Sequence, residues 1–170
     1  MKSSDLLADA LGRIRETVLG VLDGITSEEL SARLDSEANS IAWLVWHLTR
    51  VQADHVAEVA GTEQIWTAAG WARRFALDLD DSEIGYGHSS EKVAAVKADP
   101  GELDGYNQAV YENTLQFVSQ LSDPDLDKVV DERWDPPVTL GVRLISVIGD
   151  DLQHAGQAAF IKGILARRGR

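Results

Sequence analysis

Apolar residues recur with a helical period in four long stretches of the chain. Leu7, Leu11, Ile14, Val18 and Val21 are spaced 4, 3, 4 and 3 apart, which places them on one helix face. Ser4 is positioned to cap this first helix, Asp5 suits its first turn, and Asp23-Gly24 ends it. Thr26 or Ser27 can cap a short piece, SEELSARL, before a polar loop over 35–39. Ser40 then opens IAWLVWHLTRVQADHVAEVA, which Gly61 terminates. Ile41, Leu44, Leu48, Val51, His55 and Val59 form its stripe, and Trp43, Val45 and Trp46 make its first half apolar nearly all round. Such a helix is buried on more than one side.

Residues 62–98 are the least regular. GWARRFALDLDD can hold one or two helical turns, SEIGYGHSS is glycine-punctuated and reads as a loop, and Ser89 or Ser90 can cap a short helix after it. A connection this long usually covers a site or an interface. Asp99-Pro100 opens the third long helix, proline being favoured at the first helical position. Its stripe of Leu103, Tyr106, Val110, Phe117 and Leu121 is interrupted by the polar pair Asn113-Thr114. Thr139 caps the fourth, whose face runs through Leu140, Leu144, Val147, Asp151 or Leu152, Ala155 and Ala159. No strand pattern and no internal repeat is evident. The predicted fold is all-α: a four-helix bundle with a long crossover connection between helices two and three, in one domain over residues 1–170.

Composition narrows the function. The chain has 170 residues, 44% hydrophobic and 26% charged, enough for one sizeable core and unlike a disordered chain. Sixteen Lys and Arg against 28 Asp and Glu give a net charge of −12, which disfavours nucleic acid and anionic membranes as partners. No apolar run is long enough to span a bilayer and the N-terminus does not read as a signal peptide, so a cytoplasmic location is expected. The absence of cysteine removes disulfides, CxxC zinc sites, iron–sulfur clusters and a thiol nucleophile. Soft-metal chemistry would need the four histidines, carboxylates, or a thiol brought in by a small molecule. No GxGxxG, Walker or GxSxG motif is present.

Asp150 and His154 lie four apart on the fourth helix, sharing a face about 6 Å apart along the axis. That spacing lets one helix offer two ligands to one metal, with a third from a facing helix. His47, flanked by Leu44, Leu48 and Val51, lies on the core half of the second helix. Two imidazoles and a carboxylate suit Zn²⁺ with an open fourth position, or Ni²⁺, Fe²⁺ or Mn²⁺. The competing explanation, and the commoner one, is a hydrogen-bonded core histidine beside an ordinary helix-surface Asp–His pair. Asp151, three before His154, competes for the carboxylate role. His55 is about 12 Å along the helix from His47 and reads as core edge or surface, and His88 as a solvent-exposed loop histidine. Asp54 and Arg50 are candidate substrate contacts, weighed against an ion pair between them. Of the five tryptophans, most read as core anchors. Trp66 and Trp71 are placed to wall a pocket or a contact between two copies, which keeps a homodimer among the candidate assemblies.

SIAWLVWHLTR and DDLQHAGQAAFIKG resemble the two signatures of the DinB-like superfamily, in order and helix placement over nearly the whole chain. The His-Ala-Gly-Gln end of the second is the most specific part. The resemblance implies a four-helix bundle holding a metal by three side chains, here His47, Asp150 and His154. Many members have a third histidine where this chain has Asp150. That departure resembles the mycothiol-dependent maleylpyruvate isomerase branch, and GWARRF…GYGH and VVDERWDPPVTLGVRL resemble an actinobacterial subgroup. The implied activity is thiol S-transfer in which a divalent metal activates a low-molecular-weight thiol or water toward a small-molecule substrate. Metal-dependent hydrolysis without a thiol, and a non-catalytic bundle whose metal is structural or absent, are the alternatives.

Overall fold

The computed structural model describes residues 1–168. Four long helices carry the fold: α1 (Ser3–Leu22), α3 (Ile41–Ala60), α7 (Pro100–Val118) and α8 (Leu140–Arg168). Short helices α2 (Ser27–Ser31), α4 (Ile65–Ala68), α5 (Trp71–Phe75) and α6 (Ser90–Ala95) lie between them. A 3₁₀ turn at Asp123–Asp127 precedes an antiparallel ribbon of β1 (Val129–Asp131) and β2 (Val138–Thr139). The ribbon departs from the strand-free expectation, since strands of three and two residues are too short for an alternation to be read.

Local chemistry accounts for most helix boundaries. Ser40 Oγ accepts from the Trp43 amide at 3.1 Å, and Gly61 closes α3 at φ 65°. Thr26 and Glu29 cap α2 reciprocally, as do Asp99 and Glu102 at α7, where Pro100 takes the first helical position. Thr139 Oγ1 accepts from the Val142 amide at 3.4 Å. At α1 the expected Ser4 cap is displaced. The helix starts at Ser3, and Asp5, from inside the first turn, accepts from the Lys2 amide at 2.9 Å.

The four long helices pack in a ring in which α3 and α1 each contact both α8 and α7. Side-chain pairs set their directions. Glu58 meets Arg143 and His47 meets His154, so α3 and α8 are antiparallel. Asn107 donates to Thr49 and Gln52 to Thr114, so α3 and α7 run the same way.

Two apolar clusters fill the interior, one around Trp46, Leu48, Leu103 and Tyr106, the other around Leu11, Ile14, Val118 and Leu144. Between them, by position along the helices, lie the buried polar residues Arg15, Thr49, Gln52, Asn107, Thr114 and Asp151. Arg15 bonds Asn107, Gln108 and Asp104, tying α1 to α7. Slipping a helix here would strand buried donors at about 1–3 kcal/mol each, so the layer helps specify the packing. Thr114, one of the pair interrupting the third stripe, belongs to it. Trp66 is buried and Trp71 half-buried. They join Phe75 and Tyr106 in an aromatic cluster with centroids 5.1–6.3 Å apart.

Candidate metal centre

The antiparallel crossing of α3 and α8 brings His47, Asp150 and His154 together, with one potential ligand atom from each within 4.8 Å of the others. His47 Nε2 lies 4.0 Å from Asp150 Oδ2, and His154 Nε2 lies 3.7 Å from Asp150 Oδ1. The imidazole centroids are 4.8 Å apart. Two donors each about 2.1 Å from one ion are at most about 4.2 Å apart, so both carboxylate contacts fall within the reach of a shared cation.

Protonation follows from the partners. His47 Nδ1 lies 2.5 Å from the Ile84 carbonyl, which can only accept, so Nδ1 carries the hydrogen. The Nε2 lone pair then faces Asp150. His154 Nδ1 lies 3.1 Å from Gln157 Oε1, and its Nε2 turns toward Asp150 as well. Both Nε2 atoms thus face the carboxylate, and Asp150 Oδ2 is buried without a hydrogen-bond partner. A buried carboxylate oxygen with no donor, faced by the His47 Nε2 lone pair, favours a cation between them, and backbone- or amide-oriented imidazoles are the usual support of metal ligands. Burial pushes the His47 imidazole down from its ordinary value, outweighing the Ile84 bond, with His154 adding to the lowering. This favours the neutral form that a metal needs.

Aromatic rings wall the centre. Trp43 stacks on His47 at 4.5 Å and 18°, and meets His154 edge-on at 6.0 Å. Tyr86 meets His47 edge-on at 5.3 Å. Gly85 lies against the His47 ring at φ 110°, where a Cβ would sit 2.3 Å from Nδ1. Gly85→Ala is therefore expected to push His47 off the Ile84 carbonyl and weaken divalent-metal affinity about 10- to 100-fold, read by chelator competition. Unchanged affinity would mean that the loop does not set the ring.

A cavity of about 600 Å³ opens between α3, α8 and the β-ribbon, lined by Asp54, His55, Glu58, Arg143, Ser146 and Trp134 among others. Ser146 is one helical turn before Asp150, and Asp54 two turns after His47, so the cavity continues along the faces that carry the centre. Trp134 is 66% exposed at its edge, unlike the buried Trp43, Trp46 and Trp66.

The remaining sequence candidates separate clearly. Asp151 points into the core, 0% exposed, with neither carboxylate oxygen hydrogen-bonded; Asp150 is the carboxylate beside the histidines. Arg50 is fully buried and offers no guanidinium to a ligand. It donates to the Glu83 and Asp81 carbonyls at 3.3 and 2.9 Å and to Gln64 Oε1 at 2.7 Å, anchoring the loop that reaches His47. No Arg50–Asp54 pair forms; Asp54 instead accepts from Gln64 at 2.6 Å and faces the cavity. His55 also lines the cavity, its Nδ1 3.5 Å from Asp54 Oδ2, and burial lowers its pKa. His88 is not solvent-exposed: its side chain is 3% accessible. Sequence reading missed Ile84 and Gly85 as supports of His47, although the glycine-punctuated GYGH stretch marked the place.

A family model described as mycothiol-S-transferase matches residues 6–166. No curated protein matches the chain. Among solved structures, the crystal structure of a conserved protein of a locus from Enterococcus faecalis is similar at a TM-score of 0.90 and 31% identity. The match covers 95% of this chain and 96% of that one.

Proposed function

The chain belongs to the mycothiol-S-transferase family, and from that premise we propose that it is a metal-dependent thiol S-transferase whose metal is held by His47, Asp150 and His154. The carrying observation is the convergence of His47 Nε2 and His154 Nε2 on the Asp150 carboxylate, whose buried Oδ2 has no hydrogen-bond partner. These residues fit a divalent cation such as zinc, nickel, iron or manganese, with three protein ligands and room for one more. Such an ion lowers the pKa of a thiol or water bound at its open position.

The chain has no thiol of its own, so the sulfur comes from a small molecule. The thiol's proton passes to solvent, its sulfur forms a bond to the electrophilic carbon, and the leaving group departs from that carbon with the electron pair. The neighbouring cavity receives the rest of the substrates, with Asp54 and His55 as polar contacts and Trp134 as an apolar edge. Arg50 acts as a loop anchor. The accompanying reading is one four-helix-bundle domain over residues 1–170, located in the cytoplasm, with a homodimer as a candidate assembly. Its segment 61–99 is the crossover that the co-directional α3 and α7 require. No helix among the described residues is long and apolar enough to cross a membrane.

The test is turnover of an electrophilic dye by metal-loaded, tag-free protein, with and without mycothiol. Thiol-dependent dye conjugation lost on chelation is expected. Dye consumption independent of thiol would favour metal-dependent hydrolysis, and stoichiometric metal without turnover a structural site.

A further inference from the structure

We propose that His88 is a positioning residue for the centre: through the Trp43 indole it holds the plane of the His47 imidazole. This rests on the metal reading above. His88 comes from the loop between α5 and α6, yet its side chain is buried and both ring nitrogens are engaged. Trp43 Nε1 can only donate, and it reaches His88 Nδ1 at 3.1 Å. His88 Nδ1 is therefore the acceptor, and the hydrogen sits on Nε2, which donates to Glu83 Oε2 at 3.0 Å. Lys92 Nζ, on α6, grips the same oxygen at 2.6 Å. The His88 ring also stacks on Trp46 at 5.8 Å and 26°. One tautomer and one ring orientation satisfy all of these contacts.

Trp43 is one turn before His47 on α3 and overlies its ring nearly parallel. A tryptophan can flip about its side-chain bonds, but an indole tied at Nε1 cannot do so without breaking the His88 bond. His47 is thus held on one face by Trp43 and at Nδ1 by Ile84, both fixed by a single loop that Arg50 anchors. The chain Lys92–Glu83–His88–Trp43–His47 aims Nε2 at Asp150, and none of the first four belongs to the ligand set.

The test uses three variants of the full chain and Co²⁺ as the probe. His88→Phe keeps the ring on Trp46 but removes the acceptor. His88→Asn returns an acceptor oxygen near the position of Nδ1. Trp43→Phe keeps a ring over His47 but removes the donor. His88→Phe is expected to weaken Co²⁺ binding about 10-fold or more and to change its visible spectrum. His88→Asn should restore both, and His88→Phe should add nothing in the Trp43→Phe background. In metal-free protein, the Trp43 indole proton resonance should move upfield in His88→Phe and return in His88→Asn. Full Co²⁺ affinity and an unaltered spectrum in a folded His88→Phe protein that has lost the indole hydrogen bond would overturn the proposal. Failure of the unmodified protein to bind Co²⁺ would instead overturn the metal reading. In that case, His47 ring-nitrogen shifts that do not change in His88→Phe would overturn the positioning role too.

Discussion

His154→Ala is expected to purify without stoichiometric divalent metal and without thiol-transfer activity, while remaining folded. The variant removes one of three donor atoms, and the two left, on His47 and Asp150, sit on opposite helices. Loss of a supporting contact around a metal ligand typically costs 10- to 100-fold in affinity, and loss of the ligand itself should exceed that range. Gln157→Ala supplies the comparison, because it removes only the acceptor that orients His154 Nδ1. Its affinity should fall within the 10- to 100-fold range while the metal is still taken up at high concentration. His154 lies at the edge of the core, with its side chain 18% exposed, so truncation leaves no large cavity and thermal stability of the metal-free protein should change little. Elemental analysis of tag-free protein and chelator competition read the first effect, and thermal unfolding with chelator present reads the second. Undiminished metal content in His154→Ala would place the ion elsewhere and remove the basis of the transferase reading.

The four long helices were legible because each supplies several turns of apolar periodicity, and their caps at Ser40, Thr26 and Asp99 are local hydrogen bonds written in adjacent residues. Asp150 and His154 were legible for the same reason: four residues on one helix fix their relation. His47 stood out as a polar side chain inside an apolar stripe. What could not be read depends on contacts distant in sequence. Ile84 supports His47 through a carbonyl oxygen, which has no side-chain signature. Arg50 read as a substrate contact or an Asp54 partner because two of its actual acceptors, the Asp81 and Glu83 carbonyls, lie over 30 residues away. His88 looked exposed because it lies in a glycine-rich loop, and only folding of that loop onto Trp43 and Trp46 buries it. The choice between Asp150 and Asp151 was open in sequence, since both lie within a turn of His154. The helix rotation that buries Asp151 among the polar core residues decides it.

That rotation has an energetic consequence: Asp151→Asn is expected to stabilise metal-free protein at pH 7, by an amount that shrinks toward pH 4. Asp151 is fully buried and both oxygens lack partners. Burial, with a smaller contribution from the neighbouring Asp150 charge, pushes its carboxyl well above the ordinary aspartate value of 3.8. Below that value, the group is protonated folded or unfolded and carries no penalty of this kind. As pH rises, the unfolded chain releases the proton while the folded one retains it or pays to ionise, so stability falls. An amide cannot ionise, so the asparagine variant escapes the loss. The cost of an orphaned polar group is shared by aspartic acid and asparagine, so the gap comes from ionisation alone and amounts to about 1.4 kcal/mol for each unit by which the folded carboxyl is raised. For a chain of this size, that is about 2–4 °C in Tm per kcal/mol. His47, His55 and His88, all lowered chiefly by burial, give an opposite slope, gaining stability as pH rises through their range. They are common to both proteins and cancel in the difference. Denaturant unfolding at pH 4 and pH 7 with chelator present measures that difference. A gap of equal size at both values would mean that the folded carboxyl titrates like an unfolded one, with solvent or a basic partner reaching it in the core.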